Sequence, residues 1–326
     1  MLTGHYLINL DSEDEGELFI GCAGGIDTLG TFTYTQEAVP ANYAFFRIDL
    51  QGLSGGHSGD DINKGRGNSN KLLSRFLRNA SRMFLLRLSH FDGGNLRNAI
   101  PREAYAIFGV PTASVADMKA YFDRYRTEIR AEFHITEPGL TASLNEISTP
   151  DSVIDLPTQN ALLNTLCAMP NGVLAMSQSI ENFVETSTNL ASVKFTDARH
   201  ITVTTSQRSS VESAKEEAAA SIEAVFELAG AQVLHSDGYP GWTPNPESHL
   251  LAVTCAAYER LFGVVPQVKA IHAGLECGLF LEKFPALEMV SFGPTLRGVH
   301  SPDERLEIAS VDKFWKLLVE VLASLQ

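Results

Sequence analysis

The sequence predicts an α/β protein of two domains, one of them an α+β unit inserted into the other. Three features predict it. At 326 residues the chain can bury more than one core. Between Tyr43 and His235, strand-like and helix-like stretches alternate in two successive βαββαβ-like passes, the mark of an internal duplication. After His235 the character changes to a proline-rich return loop, Tyr239-Pro240-Gly241-Trp242-Thr243-Pro244-Asn245-Pro246, and a fresh alternation of helix and strand begins. The expected boundaries are 40–235 for the inserted domain, a sandwich of antiparallel sheet and helices. Residues 1–25 and 236–326 then form a discontinuous domain of α/β sheet with helices.

The elements follow in order. Leu7-Ile8-Asn9-Leu10 is an apolar run of strand length that ends in an acidic cluster, Asp11-Ser12-Glu13-Asp14-Glu15. Ala44-Phe45-Phe46-Arg47-Ile48-Asp49-Leu50 reads as a strand, and residues 70–77 place apolar side chains at helical spacing. Phe84-Leu85-Leu86-Arg87-Leu88 and residues 103–110 read as strands, and a helix over 114–129 sets Met118, Tyr121, Phe122 and Tyr125 on one side. In the second pass Leu140-Thr141-Ala142-Ser143-Leu144 is a strand and 158–167 is helical. Residues 184–193 and 200–205 alternate in strand fashion about a turn at Thr196-Asp197. The alanine- and glutamate-rich stretch 214–229 favours helix, and 231–235 closes the unit. A helix over 248–261, strands over 267–272 and 287–292, and a helix over 311–324 complete the chain.

The formal charge of −14 argues against a nucleic-acid partner, because phosphate binding needs clustered lysine and arginine. Cys22, Cys167, Cys255 and Cys277 show no CxxC spacing, which suits reduced thiols in the cytoplasm. No signal peptide pattern is visible, and no apolar run approaches the roughly 18 residues of a membrane span.

Chemistry-bearing residues gather at the two ends. Asp11 is the first carboxylate after an apolar run, and ligands in open sheets tend to collect beyond the carboxyl ends of strands. A turn or cap residue is the plainer alternative. Gly293-Pro294-Thr295-Leu296-Arg297-Gly298-Val299-His300 leads from a buried strand into Ser301-Pro302-Asp303-Glu304, a capping-box pattern with proline at the first helical position. His300 is thereby either a metal ligand held at a strand end or a surface histidine.

Set in order, several stretches carry a resemblance. They are Leu7-Ile8-Asn9-Leu10-Asp11-Ser12-Glu13-Asp14-Glu15-Gly16, Gly21-Cys22-Ala23-Gly24-Gly25, Gly55-Gly56-His57-Ser58-Gly59 and Leu96-Arg97-Asn98-Ala99-Ile100-Pro101. Gly238-Tyr239-Pro240-Gly241-Trp242, Ile271-His272-Ala273-Gly274-Leu275-Glu276-Cys277-Gly278 and the 293–304 stretch continue them. Over essentially the whole chain the sequence resembles the bacterial aminoacyl-histidine dipeptidases, also called Xaa-His or cytosol non-specific dipeptidases, which are zinc metallopeptidases.

The resemblance implies hydrolysis of Xaa-His and other dipeptides by zinc-activated water, with a lid inserted into the catalytic domain. It implies two zinc ions, with manganese or cobalt as alternatives, and assigns Asp11 to one ion and His300 to the other. His57 would reach across to the oxyanion of the tetrahedral intermediate, the plain alternative being a glycine-rich turn. Asn98 would contact substrate, or simply turn the chain before a strand. Arg208 would take the substrate carboxylate, a pairing that guanidinium geometry suits, or stand as a solvated charge. Glu276 would help bind the amino end. His272, from its own place after a buried strand, either supports a ligand or is a structural histidine. The family also carries a further N-terminal segment with a histidine, aspartates and a Glu-Glu pair for which nothing here stands as counterpart. The chain is therefore expected to be truncated, with a partial catalytic domain that is inactive alone, working as a homodimer or with that segment in trans. The alternative is a non-catalytic remnant that binds peptides or a partner.

Overall fold

The computed structural model describes residues 4–299 and 303–325. Its elements follow the apolar periodicity and sort into two sheets. β1 (Tyr6–Asn9) and β2 (Glu17–Cys22) open the smaller sheet, whereas β3 (Gly24–Thr33) follows almost at once but belongs to the larger. Next come β4 (Tyr43–Gln51), α1 (Ser69–Phe84), β5 (Arg87–Gly93), β6 (Ala104–Pro111), α2 (Val115–Glu132) and β7 (Thr141–Ile147). Then α3 (Leu156–Ala168), β8 (Gly172–Met176), β9 (Val184–Phe195), β10 (His200–Ser209), α4 (Glu212–Leu228) and β11 (Gln232–His235). The chain returns to the smaller sheet through α5 (His249–Phe262), β12 (Gln267–Ile271), α6 (Cys277–Lys283) and β13 (Glu288–Ser291), and α7 (Ile308–Ser324) follows.

Among the described residues the larger sheet has nine strands, ordered β7-β4-β6-β5-β9-β10-β3-β11, with β8 paired to β9. Its neighbours run antiparallel throughout. The order exposes the duplication. The first repeat is β4-α1-β5-β6-α2-β7 and the second is β3-α3-β9-β10-α4-β11, so the two halves of the sheet mirror each other about the β5–β9 junction. The first repeat is inserted between β3 and α3 of the second. Its two connections run side by side, Gln36–Glu37 pairing with Val153–Ile154. Phe46, Ile48, Phe76, Leu88, Phe108, Tyr125, Leu162, Val203 and Phe226 are buried between this sheet and its helices.

Local signals set the helix ends. Asn68 caps α1 by accepting from the Asn70 and Lys71 N–H groups, and Asp155 caps α3 by accepting from Thr158. Ser248 caps α5, which ends at Gly263 with φ 71°.

The smaller sheet is ordered β1-β13-β2-β12. β1 and β13 are parallel neighbours, as are β2 and β12. Leu18, Ile20, Trp242, Leu250, Met289, Val290, Leu317 and Val321 form its core, with α5 and α7 packed together. Because β1 and β13 run the same way, the loops after Asn9 and after Ser291 leave the same end of the sheet. They touch there: the Leu296 N–H donates to the Glu13 carbonyl, and the Glu15 N–H to Thr295 Oγ1.

Some expected elements shift. The expected strand at Phe84 begins only at Arg87, because Phe84 completes the buried face of α1 and Leu85 turns the chain at φ 51°. The strand near Leu140 ends the first repeat instead of opening the second. The true opening strand is β3, ahead of the boundary expected at residue 40, so the large sheet begins at Gly24.

Candidate active site

Arg208 stands near the end of β10, opposite Ser187 on β9 and Gly25 on β3. It is 7% exposed, and its Nη1 donates to Tyr239 Oη at 2.8 Å. Its Nε has no partner among the described residues. The Asp60 carboxylate is near enough to feel its charge. A buried guanidinium with an unfilled donor has the chemistry to take a small anion. Gly25 makes the arrangement possible, since a Cβ there would lie 2.7 Å from Tyr239 Oη. Arg208, Tyr239, Asn98, Arg97, Asp27 and Ser206 help line an open cavity of about 420 Å³. Arg97 and Asp27 pair across its rim at 3.1 Å.

The His57 turn reaches the same neighbourhood from the first repeat. Gly56–His57 pairs with Ala99–Ile100, and the Ser58 N–H donates to the Asn98 carbonyl at 2.8 Å. His57 and Asn98 are thus held by one short ladder. His57 Nδ1 lies 3.3 Å from the Gly59 and Asp60 backbone nitrogens and 3.3 Å from Asp60 Oδ2. A neutral ring accepts from the two N–H groups, and a protonated ring donates to Asp60. Hydrogen bonding to His57, helped by the Arg208 charge, holds the Asp60 carboxyl below its usual range. In either state these contacts fall on Nδ1 and not on Nε2.

His272 follows β12 and is 5% exposed. Its Nε2 lies 2.7 Å from Ser187 Oγ. Burial, and then the Arg208 charge, push its pKa down to about 4, so the ring is neutral at neutral pH. It therefore joins the smaller sheet to the strand beside Arg208.

Asp11 is exposed just beyond β1, bordering a cavity of about 70 Å³ with Ser12, Asp14, Phe19, Ile271 and Leu275. His300 and the cap pattern at 301–302 lie outside the described residues; the flanks of that interval pair as Leu296–Arg297 with Arg305–Leu306. Among the described residues no three His, Cys, Asp or Glu side chains converge on a point, so Asp11 alone falls short of the donors a zinc site needs. Glu276 lies just before α6, outside the lining of the Arg208 cavity, where its charge helps raise the buried Cys277 thiol, pushed up to about 12 chiefly by burial.

The structure thus gathers Asn98 and Arg208 in one cavity, brings the His57 turn beside them, and leaves Asp11 at a separate pocket. Sequence reasoning missed Tyr239, Asp60 and Ser187. Tyr239 stood inside a quoted motif but read as part of a return loop; Ser187 sat in a plain alternating strand and gave no signal.

Comparisons with known proteins give the family. Residues 97–324 match the peptidase family M20/M25/M40, and residues 48–137 match a peptidase dimerisation domain. The chain is 41% identical over 321 residues to the cytosol non-specific dipeptidase of Escherichia coli strain K12, covering 98% of this chain and 66% of that protein. The crystal structure of the aminoacylhistidine dipeptidase of Vibrio alginolyticus superimposes with a TM-score of 0.95 at 42% identity, covering 99% of this chain and 66% of the other. The chain therefore spans 66% of the length of each.

Proposed function

The chain belongs to peptidase family M20/M25/M40, and from that premise we propose that it serves the hydrolysis of dipeptides, Xaa-His among them. The observation that carries the reading is the buried, incompletely partnered Arg208 in a cavity that also holds Asn98. Both relatives are named as dipeptidases.

Arg208, with Tyr239 steadying its guanidinium, takes the substrate's terminal carboxylate. Asn98 contacts the peptide from the rim. His57 presents Nε2 to the carbonyl oxygen as charge develops on it. Glu276 acts on the substrate's amino end through its charge. A divalent metal, zinc with manganese or cobalt as alternatives, would draw Asp11 and His300 from this chain, with donors beyond those the described residues supply. When bound, it would supply activated water and polarise the carbonyl. The match to a dimerisation domain supports a homodimer. The name of the Escherichia coli relative, a cytosol non-specific dipeptidase, supports a cytoplasmic site of action.

Calorimetric titration with Gly-His and with its C-terminal amide tests the carboxylate anchor. Wild type should prefer the free acid, and Arg208→Ala should lose roughly 10- to 100-fold in affinity for it, the worth of hydrogen bonds to a charged group. Equal binding of acid and amide by the wild type would sink the reading. A second reading is peptide binding without catalysis, in which Arg208 and Asn98 hold the ligand in the same cavity. Peptide binding with no turnover of Gly-His or β-Ala-His after zinc titration would select it.

A further inference from the structure

We propose that His272 is a positioning residue that fastens the substrate cavity to the smaller sheet, fixing where Arg208 and the His57 turn stand relative to Asp11. The proposal rests on the reading of Arg208 as the carboxylate anchor.

Three contacts carry it. On one side, Nε2 of His272 lies 2.7 Å from Ser187 Oγ, and Ser187 is the register partner of Arg208. On another, the His272 carbonyl abuts the His57 turn so tightly that a Cβ on Gly59 would fall 2.1 Å from it. Behind, the preceding residue, Ile271, borders the Asp11 pocket. One residue thus touches both substrate-facing elements while its neighbour lines the carboxylate pocket. The backbone around it is clamped, since the Ala23 N–H reaches the carbonyls of both Ile271 and Ala273, at 3.0 and 3.1 Å.

Packing alone does not account for a histidine here. The ring is buried, meets Phe183 edge-on at 6.2 Å, and lies within hydrogen-bonding reach of the Val184 backbone as well as Ser187. Burying a polar ring costs desolvation that an apolar side chain of similar size would not, and only hydrogen bonds to its nitrogens offset it. What imidazole adds is a directional bond to Ser187, which holds the two sheets in one register. Ser187 is itself 1% exposed, so the pair is closed to substrate and acts only through its neighbours.

Three variants test this by the same titrations. Ser187→Ala removes the hydroxyl with little change in volume, His272→Leu fills the space without a polar atom, and His272→Gln keeps a polar group near the Nε2 position. The preference for Gly-His over its amide should fall about tenfold in Ser187→Ala and His272→Leu, as expected for one lost directional contact, and largely return in His272→Gln. A merely structural role would lower the Tm of His272→Leu and leave the acid-to-amide ratio at its wild-type value in both it and Ser187→Ala; that result overturns the proposal. Arg208→Ala separates the two readings. If it abolishes the preference while the His272 and Ser187 variants keep it, only the positioning role fails; if Arg208→Ala keeps it, the carboxylate anchor fails.

Discussion

The two repeats of the large sheet share one topology but are packed for different ends. In the first, Phe76 on α1 meets Phe108, Tyr121, Phe122 and Tyr125 with ring centroids 5.3 to 5.9 Å apart, and the Tyr125 hydroxyl donates to the Leu72 carbonyl. In the second, the groove between α3 and α4 is lined by Ala161, Thr165, Ala168, Val225 and Ala229 and stays open as a cavity of about 330 Å³. The chemistry divides the other way. Arg208 and Ser187 stand on strands of the second repeat, and the first lends the His57 turn, Arg97 and Asn98 from its loops. One copy of the duplicated unit has a dense aromatic core, and the other presents a polar strand to the cavity.

The contrast can be broken most sharply in the cores. Phe76→Ala should cost about 3–5 kcal/mol in urea unfolding, the usual range for a fully buried phenylalanine. Val225→Ala, in the open groove, should cost less than about 1 kcal/mol. Similar losses in both would show that the repeats are equally packed. Acid should act on the second repeat through His272. Its folded pKa, about 4, is below its ordinary value of 6.5, so the unfolded chain takes up the proton first. The stability contributed by the neutral ring is fully present above pH 6.5 and is lost as pH falls from 6.5 to 4, by about 3 kcal/mol. Hydrogen exchange over that range should rise around residues 183–190 and 272 before it rises in α1 and α2. A uniform rise would remove His272 as the cause.

A smaller effect tests how the repeats are coupled. Lys71 on α1 sends its Nζ to the carbonyls of Leu166, Cys167 and Met169 at the end of α3, at 2.7, 3.0 and 2.8 Å. That pairs a cation with the negative end of a helix belonging to the other repeat. Lys71→Met should lower the unfolding free energy by about 2 kcal/mol and should separate the melting of the two repeats. A single sharp transition at an unchanged Tm would mean that the sheet junction alone couples them.

Much of this was readable from residue order. The helices of the first repeat were set by plain apolar spacing around Leu72, Phe76, Met118 and Tyr125, and the strands at 44–50 and 184–193 by alternation. β3 was not readable, for a physical reason. Gly24, Gly25 and Gly30 look like turn residues, yet they lie in a strand whose neighbours press on it: a Cβ on Gly30 would sit 2.2 Å from the Phe226 ring. Within the candidate site, Arg208 was legible only through the resemblance, since by itself an arginine at a strand end reads as a solvated charge. Its partner Tyr239 and the His272–Ser187 bond were not legible, because they bring together positions 31 and 85 residues apart. No local pattern encodes such distances.

The nesting of one repeat inside the other bears on how the chain is made. β3 leaves the ribosome early, but its ladder partners, β10 and β11, are translated only after the whole inserted repeat. The inserted repeat has all its strands once β7 is out, so it can collapse first while β3 waits unpaired. A glycine-rich segment with few bulky side chains offers little for stray chains to grip during that wait.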